Sequence, residues 1–126
     1  MIPKFRIFDK KKKRFLGDFT MEIDKFGIHV LDEFNYVVDE DDRVLMQSTG
    51  LHDENKEEVF QDDIVWHDQN EEYGVVEINE AKFVIRWQDG YSEDLFERID
   101  LLEVVGNIYE HSHLLDVEGL ENDNEV

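Results

Sequence analysis

The chain has 126 residues, enough for one domain or two small ones, and its 33 Asp and Glu against 13 Lys and Arg give a net charge of −20. This balance excludes a conventional nucleic-acid-binding surface over most of the molecule, because carboxylates repel phosphate. The 40% of apolar residues suffice for a core, the lack of Cys excludes disulfides and thiol chemistry, and we find neither an apolar leader nor a membrane span.

The basic residues are concentrated at the start of the chain. Residues 1–14 hold seven of the 13 bases against one acid, a net charge of +6, whereas the remainder carries −26. The basic run interrupts two apolar stretches, so we place it on the first turn, where it is a candidate partner-binding site formed by Lys10, Lys11, Lys12, Lys13 and Arg14. It suits either an anionic partner or, as we slightly prefer, the acidic body of a second copy, which predicts salt-sensitive self-association.

Apolar residues alternate with polar ones in the N-terminal third, which is typical of short antiparallel strands. The alternation includes Phe19, Met21 and Ile23, and then Phe26, Ile28 and Val30. A run of four carboxylates at residues 39–42 marks a loop that separates two structural units.

The remaining strands are predicted at intervals of roughly ten residues, which favours a small barrel. Predicted strands include 44–47, with a bend at Thr49 and Gly50, and runs beginning at Ile64, Tyr73, Lys82 and Ile99. A helix of about two turns is expected over residues 92–99, starting from Ser92. Another turn is expected near residues 112–116.

Three segments in chain order resemble the YopX family of phage and prophage proteins: KFRIFDKK (4–11), LMQSTGLHDENKEEVFQDDIV (45–65) and VGNIYE (105–110), the last followed by Leu114 and Leu115. The family pattern usually has Gly after Asn55 and before Asp63, where this chain has Lys56 and Gln61-Asp62, so we expect altered turns and not a different fold. The resemblance implies a small, mostly β, phage-derived protein in the cytoplasm of an infected or lysogenic bacterial host. It supplies no catalytic residues.

The predicted fold is therefore mainly β, with N-terminal short antiparallel strands and a small SH3-like or Tudor-like barrel in the C-terminal half. We expect an N-terminal hairpin region at 1–43, a YopX-type barrel region at 44–115 and a flexible acidic tail at 116–126.

No residues are predicted to be catalytic or to bind a metal or cofactor. Residues 53–57 alternate oxygen ligands like the opening of a calcium loop, but the sixth and twelfth positions are Glu58 and Ile64 instead of Gly and Glu, so we expect a solvated hairpin turn. His111 and His113 have chelating spacing, yet a zinc site needs two further ligands.

Aromatic residues of the predicted barrel offer a second candidate site. A cage that captures a cationic side chain by cation–π attraction could be lined by Trp66, Tyr73, Trp87, Tyr91 and Phe96, with Asp89 or Glu93 beside it. The competing interpretation, which we prefer, is that aromatic side chains such as Trp87 form the barrel core.

The leading hypothesis for function is a non-enzymatic acidic module that binds a host or phage protein, including a DNA-mimic role against a host DNA-binding protein. The alternative is a nucleic-acid-binding module that uses the basic turn, although we expect protein and not nucleic acid as the partner. A hydrolase is a distant third, because no catalytic motif is found.

Overall fold

The computed structural model describes residues 4–115 and divides the chain into two compact units, Met1–Gln47 and Ser48–Val126. We predicted a boundary at residue 43, a few residues earlier. The predicted acidic tail, 116–126, lies outside the described residues. The fold is mainly β, with 53% strand and 12% helix.

The first unit consists of short antiparallel strands, as predicted. They are β1 (Phe5–Asp9), β2 (Arg14–Phe15), β3 (Thr20–Asp24), β4 (Gly27–Leu31) and the first half of β5 (Arg43–His52). Strand β1 pairs with both β2 and β5, and β3 pairs with β4 in a separate two-stranded sheet. The predicted carboxylate loop is a single 3-10 turn, Glu40–Asp42.

Alternation explains how the first unit forms its core, since every second side chain of a strand points to the same face. The buried cluster contains Ile7, Leu16, Val30 and Val38, with Met21 packed against it from β3. Met21 lies opposite Val30 in the hairpin register, so the two share a face.

The second unit is built on a curled half-barrel sheet. Its strand order is β10-β9-β8-β7-β11, and β6 pairs with the second half of β5. The strands are β6 (Glu58–Phe60), β7 (Asp63–His67), β8 (Glu72–Asn79), β9 (Lys82–Trp87), β10 (Ser92–Asp94) and β11 (Leu102–Asn107). The edge strands β10 and β11 do not pair with each other in this part of the chain, so the more specific SH3-like closure stays a prediction.

The core of the second unit forms on one face of this sheet. Val65, Gly74 and Trp87 lie side by side on β7, β8 and β9. Trp87 is 4% exposed and packs in the main cluster with Leu95 of the short helix α1 (Leu95–Arg98). A Cβ atom at residue 74 would lie 2.9 Å from Trp87 Cε3, so this packing requires glycine there.

Two sequence predictions of the second unit are corrected by strand pairing. The helix predicted from Ser92 begins only at Leu95, because Ser92–Asp94 pairs with β9 as a strand. The true N-cap is Asp94, whose carboxylate accepts the Phe96 N–H at 3.0 Å. The strand predicted from Ile99 starts at Leu102, after a 3-10 turn over Ile99–Leu101.

Other local predictions agree with the structure or differ only in detail. The bend expected at Gly50 is a register shift inside the continuous strand β5, where Gly50 has a φ of 78°. The turn expected near residue 112 is a 3-10 helix, Ser112–Leu115. Among residues 4–115, no helix has both the length and the apolar character needed to cross a membrane.

The turn at residues 53–57 is held by a buried carboxylate. Asp53 is 6% exposed, and its Oδ1 accepts the N–H groups of Asn55 and Glu57 at 2.9 and 2.8 Å. Its Oδ2 accepts the Val104 N–H of β11 at 2.7 Å. The hairpin turn that we preferred over a calcium loop is present. Its first carboxylate, however, binds backbone N–H groups and does not face solvent.

Candidate interaction surfaces

The predicted basic turn is the loop between β1 and β2, and its backbone is well ordered by hydrogen bonds. The carboxylate of Asp9, which is buried, accepts the N–H groups of Lys11 and Lys12 at 2.9 and 3.0 Å. The Lys10 N–H donates to the carbonyl of Asp42 at 2.7 Å, and Lys13 adopts a φ of 59°. The backbone is thus fixed from inside while the lysine side chains point outward.

The five basic candidates of this turn differ in availability. Lys10, Lys11, Lys12 and Lys13 are exposed and form no ion pair within residues 4–115. Arg14 is instead held by a bidentate ion pair with one carboxylate.

That carboxylate belongs to Glu33, whose oxygens lie 2.9 and 3.0 Å from the Arg14 guanidinium nitrogens. The hydrogen bonds from Arg14 lower the pKa of Glu33 from 4.5 to about 2 and raise the pKa of Arg14 above its ordinary value. Arg14 is therefore a structural side chain, and the four lysines form the basic surface, which we call the lysine loop.

A group of exposed apolar side chains lies around the β3–β4 hairpin of the first unit. Ile23 and Ile28 lie opposite each other and form the next pair on the same face as the Met21–Val30 pair. Ile23 is 75% exposed. Phe26 at the hairpin turn is 80% exposed, and Val37, which bridges to Leu31, is 73% exposed. Because Val37 lies opposite Leu31, its side chain is on the other face of the hairpin from Ile23 and Ile28. We call Ile23, Phe26 and Ile28 the apolar cluster.

The apolar cluster borders a groove along the outer edge of β4. The groove has a volume of about 510 Å³, and Phe26, Ile28 and Val37 line it. Arg43 lies in it and donates to the carbonyls of Ile28 and Val38 at 2.8 and 3.0 Å, so its guanidinium is already used by the backbone. Asp39 and Glu40 also line the groove, so its lining is both apolar and charged.

A second hollow of about 320 Å³ shares Val37 and Val38 with the groove. Lys11 and Lys12 line it together with carboxylates that include Asp39 and Asp42. This hollow thus presents both signs of charge beside Val37.

Alternation along the chain does not reveal the apolar cluster, because it shows which side chains share a face and not whether that face is covered. The turn over residues 32–36 holds two further exposed aromatic side chains outside the cluster, Phe34 and Tyr36. Their N–H groups both donate to the Asp32 carboxylate, at 2.8 and 3.0 Å.

The aromatic residues proposed for a cage lie on different faces of the second unit's sheet. Trp66 and Tyr73 are cross-strand neighbours with ring centroids 4.6 Å apart. Trp87 points to the opposite, core face, because its neighbour in the register is Gly74. Its indole N–H donates to Glu93 at 3.0 Å, and Tyr91 lies exposed in the following turn. Phe96, the fifth ring proposed, is exposed at the start of α1. The five rings therefore do not share one face of the sheet.

The two units differ strongly in charge. Residues 1–47 hold nine bases and ten acids, whereas residues 48–126 hold four bases and 23 acids. Three of the four bases of the second unit are used internally, since Arg86 pairs with Glu77 at 2.6 Å, Arg98 with Glu93 at 2.9 Å and Lys82 with Asp94 at 3.6 Å.

Other carboxylates of the second unit are exposed without an ion pair in the described part of the chain. They include Glu57, Glu71, Glu80, Glu97 and Asp100. Within residues 4–115 no three potential metal ligands gather into one group. The exposed carboxylates named above therefore belong to no such group of ligands.

Comparison with solved structures identifies similar folds over most of the chain. A crystal structure of protein EF1440 from Enterococcus faecalis has a TM-score of 0.63 and 26% identity, covering 92% of this chain and 99% of that one. A crystal structure of protein yopX from Bacillus subtilis has a TM-score of 0.61 and 18% identity, covering 89% and 97%. The second comparison shows the fold alone.

A search of curated proteins gives no match. The model of the YopX protein family, in contrast, matches residues 4–116, which includes all three segments on which the resemblance was based. Since the match covers nearly the whole chain, the chain belongs to the YopX protein family.

Proposed function

We propose that this protein is a non-enzymatic binding module whose second unit presents an acidic surface to a basic protein partner. The observation that carries the proposal is the internal use of three of that unit's four bases, which leaves exposed carboxylates without neighbouring positive charge. A surface of one sign attracts an oppositely charged partner and steers its approach.

The partner that best fits this chemistry is a DNA-binding protein of a bacterial host. Within residues 4–115, the carboxylates do not gather into a metal site. Carboxylates spread over a sheet and its turns resemble the distributed charge of a phosphate backbone. In this proposal the protein is encoded by a phage or prophage, acts in the host cytoplasm and occupies a groove that otherwise holds DNA.

A second candidate is a nucleic-acid-binding module that uses the lysine loop. Its support is the fixed backbone of residues 10–13 and the four exposed ammonium groups, which could contact phosphates without reorganising. The two candidates require partners of opposite charge, so one set of measurements distinguishes them.

The experiment is capture of proteins from a nuclease-treated bacterial lysate on the immobilised full chain, with duplex DNA as competitor. We expect basic DNA-binding proteins to be retained and to be released by duplex DNA or raised salt. Replacing Glu71, Glu80 and Glu97 by Lys should reduce their retention at least tenfold, because it reverses three charges of the second unit.

A matched variant reverses three exposed carboxylates of the first unit, Asp18, Glu22 and Asp41, and should retain the same proteins. Capture of only neutral proteins that DNA does not displace would overturn the DNA-mimic proposal. Direct retention of duplex DNA by the protein at low salt, weakened by Lys11→Glu and Lys12→Glu, would establish the second candidate instead.

A further inference from the structure

One edge of the β3–β4 hairpin is closed by other parts of the first unit. The Val38 N–H donates to the carbonyl of Val30 at 2.9 Å, and the Arg43 guanidinium donates to the carbonyl of Ile28 at 2.8 Å. Both carbonyls therefore point away from β3. Since the N–H and C=O groups of one strand residue lie on the same side, Val30 and Ile28 use neither group to bond to β3.

The other edge of the hairpin, formed by β3, is open. Met21 and Ile23 lie opposite Val30 and Ile28 in the register. Both partners of such a non-bonded antiparallel pair direct their N–H and C=O groups outward, so those of Met21 and Ile23 point away from β4. Strand β3 pairs with β4 alone, and these four groups form no hydrogen bond within residues 4–115. Successive unpaired groups on an edge strand are a template for a further strand.

The two faces of β3 differ in chemistry, which defines the side chains that suit a paired segment. Ile23 lies on the apolar face and is 75% exposed, whereas Glu22 and Asp24 lie on the other face. The Asp24 carboxylate already accepts the Phe26 N–H at 2.7 Å and contacts His29 at 3.1 Å. The exposed Glu22 carboxylate has no ion pair within residues 4–115.

We propose that β3 binds an extended segment of another protein, which adds to the open edge as a third strand. The backbone of that segment bonds to Met21 and Ile23, an apolar side chain lies opposite Ile23, and a Lys or Arg side chain lies opposite Glu22. In this mode of recognition the backbone hydrogen bonds supply affinity and alternate side chains supply specificity. The site lies on the first unit and does not use the acidic surface proposed for the second.

A second copy of this chain suits the open edge less well than a basic segment does. When β3 pairs antiparallel with itself over its full length, Glu22 of each copy lies opposite Glu22 of the other. Like charges directly opposite each other destabilise a sheet. Each copy also carries a net charge of −20, so two copies repel each other, whereas a segment with Lys or Arg is attracted.

Amide hydrogen exchange of the isotope-labelled full chain, followed by NMR, tests the proposal. In the free chain the Met21 and Ile23 amides should exchange quickly, and the Glu22 amide, which faces β4, should exchange slowly. The probe is a synthetic peptide, Thr-Val-Lys-Val-Lys-Val-Thr, with both ends blocked. At saturation it should slow exchange at Met21 and Ile23 by roughly tenfold or more and leave the amides of the second unit unchanged.

A peptide of the same sequence with N-methylated Val residues separates strand addition from charge attraction. Methylation removes the backbone donors that face β3 and keeps every side chain and charge, so it should abolish the protection. Equal protection by the methylated peptide, or no protection at millimolar unmethylated peptide, would overturn the proposal. So would protection that appears without peptide as the protein concentration rises, because the occupant would then be a second copy.

Charge reversal on the chain tests the side-chain preference. Glu22→Lys should weaken peptide binding by roughly fivefold, because a Lys of the peptide then meets a like charge on the neighbouring strand. The same variant should prefer a peptide in which Glu replaces Lys. The matched control, Glu71→Lys, reverses one exposed charge of the second unit and should bind the original peptide like the wild type. Equal weakening by the two variants would mean that net charge alone holds the peptide, which would overturn the proposal.

Discussion

Two residues of the most characteristic family segment adopt a left-handed backbone without being glycine. Lys56 and Asp62 have φ values of 70° and 72°, at the positions where the family pattern usually has glycine. We expected altered turns there. The backbone instead keeps the conformation that glycine adopts most easily, and an L side chain is strained in it by about 1–2 kcal/mol.

Replacing Lys56 by Gly should therefore stabilise the protein by roughly 0.5–1 kcal/mol, the relief of strain being partly offset by the greater entropy of glycine in the unfolded chain. Urea unfolding measures the change. Glu54→Gly, two residues earlier and without a positive φ, should destabilise and serves as the control. Equal destabilisation by both changes would contradict the argument.

The Arg14–Glu33 ion pair makes stability depend on pH in acid. The pKa of Glu33 is about 2 when folded against an ordinary 4.5, so the folded state binds this proton more weakly than the unfolded state does. The stabilisation is complete above pH 4.5 and is lost as the pH falls towards 2. We expect Glu33→Gln to be less stable than the wild type at pH 6 and equally stable near pH 2.

Urea unfolding at several pH values gives this comparison, and the partner residue supplies the control. Arg14→Gln should flatten the same part of the pH profile, and adding it to Glu33→Gln should cost little more, because the two side chains act through one ion pair. Additive losses from the two changes would show that the pair is not the cause.

At the scale of elements, one buried carboxylate joins a turn to a strand distant in sequence. Asp53 accepts two N–H groups of its own turn and one from β11, 51 residues away. The Glu54 N–H adds a bond to the carbonyl of Leu102 at 3.0 Å. These contacts fix the β5–β6 turn against the last strand of the sheet, which gives a structural reason for the Asp in the characteristic segment.

Asp53→Ala should destabilise the protein by about 3 kcal/mol, because three backbone donors lose a charged acceptor in a buried place. Chemical denaturation with circular dichroism detection measures the loss. Glu54→Ala removes an exposed neighbouring carboxylate and should change stability by less than about 0.5 kcal/mol. A loss below 1 kcal/mol for Asp53→Ala would mean that water replaces the carboxylate.

The elements themselves were largely predictable. Alternation identified the β3–β4 hairpin, and β-branched and aromatic runs identified the strands that include Ile64 and Val84. Prediction failed at Ser92–Asp94, where the N-cap pattern of a helix was outweighed by pairing with β9. It also could not separate Trp66 from Trp87, since which face of a sheet is covered depends on chain segments far away in sequence.

At the scale of the whole molecule, the net charge of −20 is a property of the second unit. The first unit has nearly balanced charges and carries both the lysine loop and the apolar cluster. The sequence alone shows the bipolar distribution, with the contrast at residue 14. The structure places it at residue 47, because Asp9, Glu33 and the 39–42 run belong to the same unit as the lysines.

The division between the units falls inside β5, between Gln47 and Ser48, and not in a linker. Domain boundaries usually lie in exposed loops, where few constraints cross them. With the boundary inside a strand, β5 must keep its hydrogen-bond register with β1 before the boundary and with β6 after it. Recombination at this point would seldom yield a foldable chain, so the two units are expected to be inherited together and to change sequence in step.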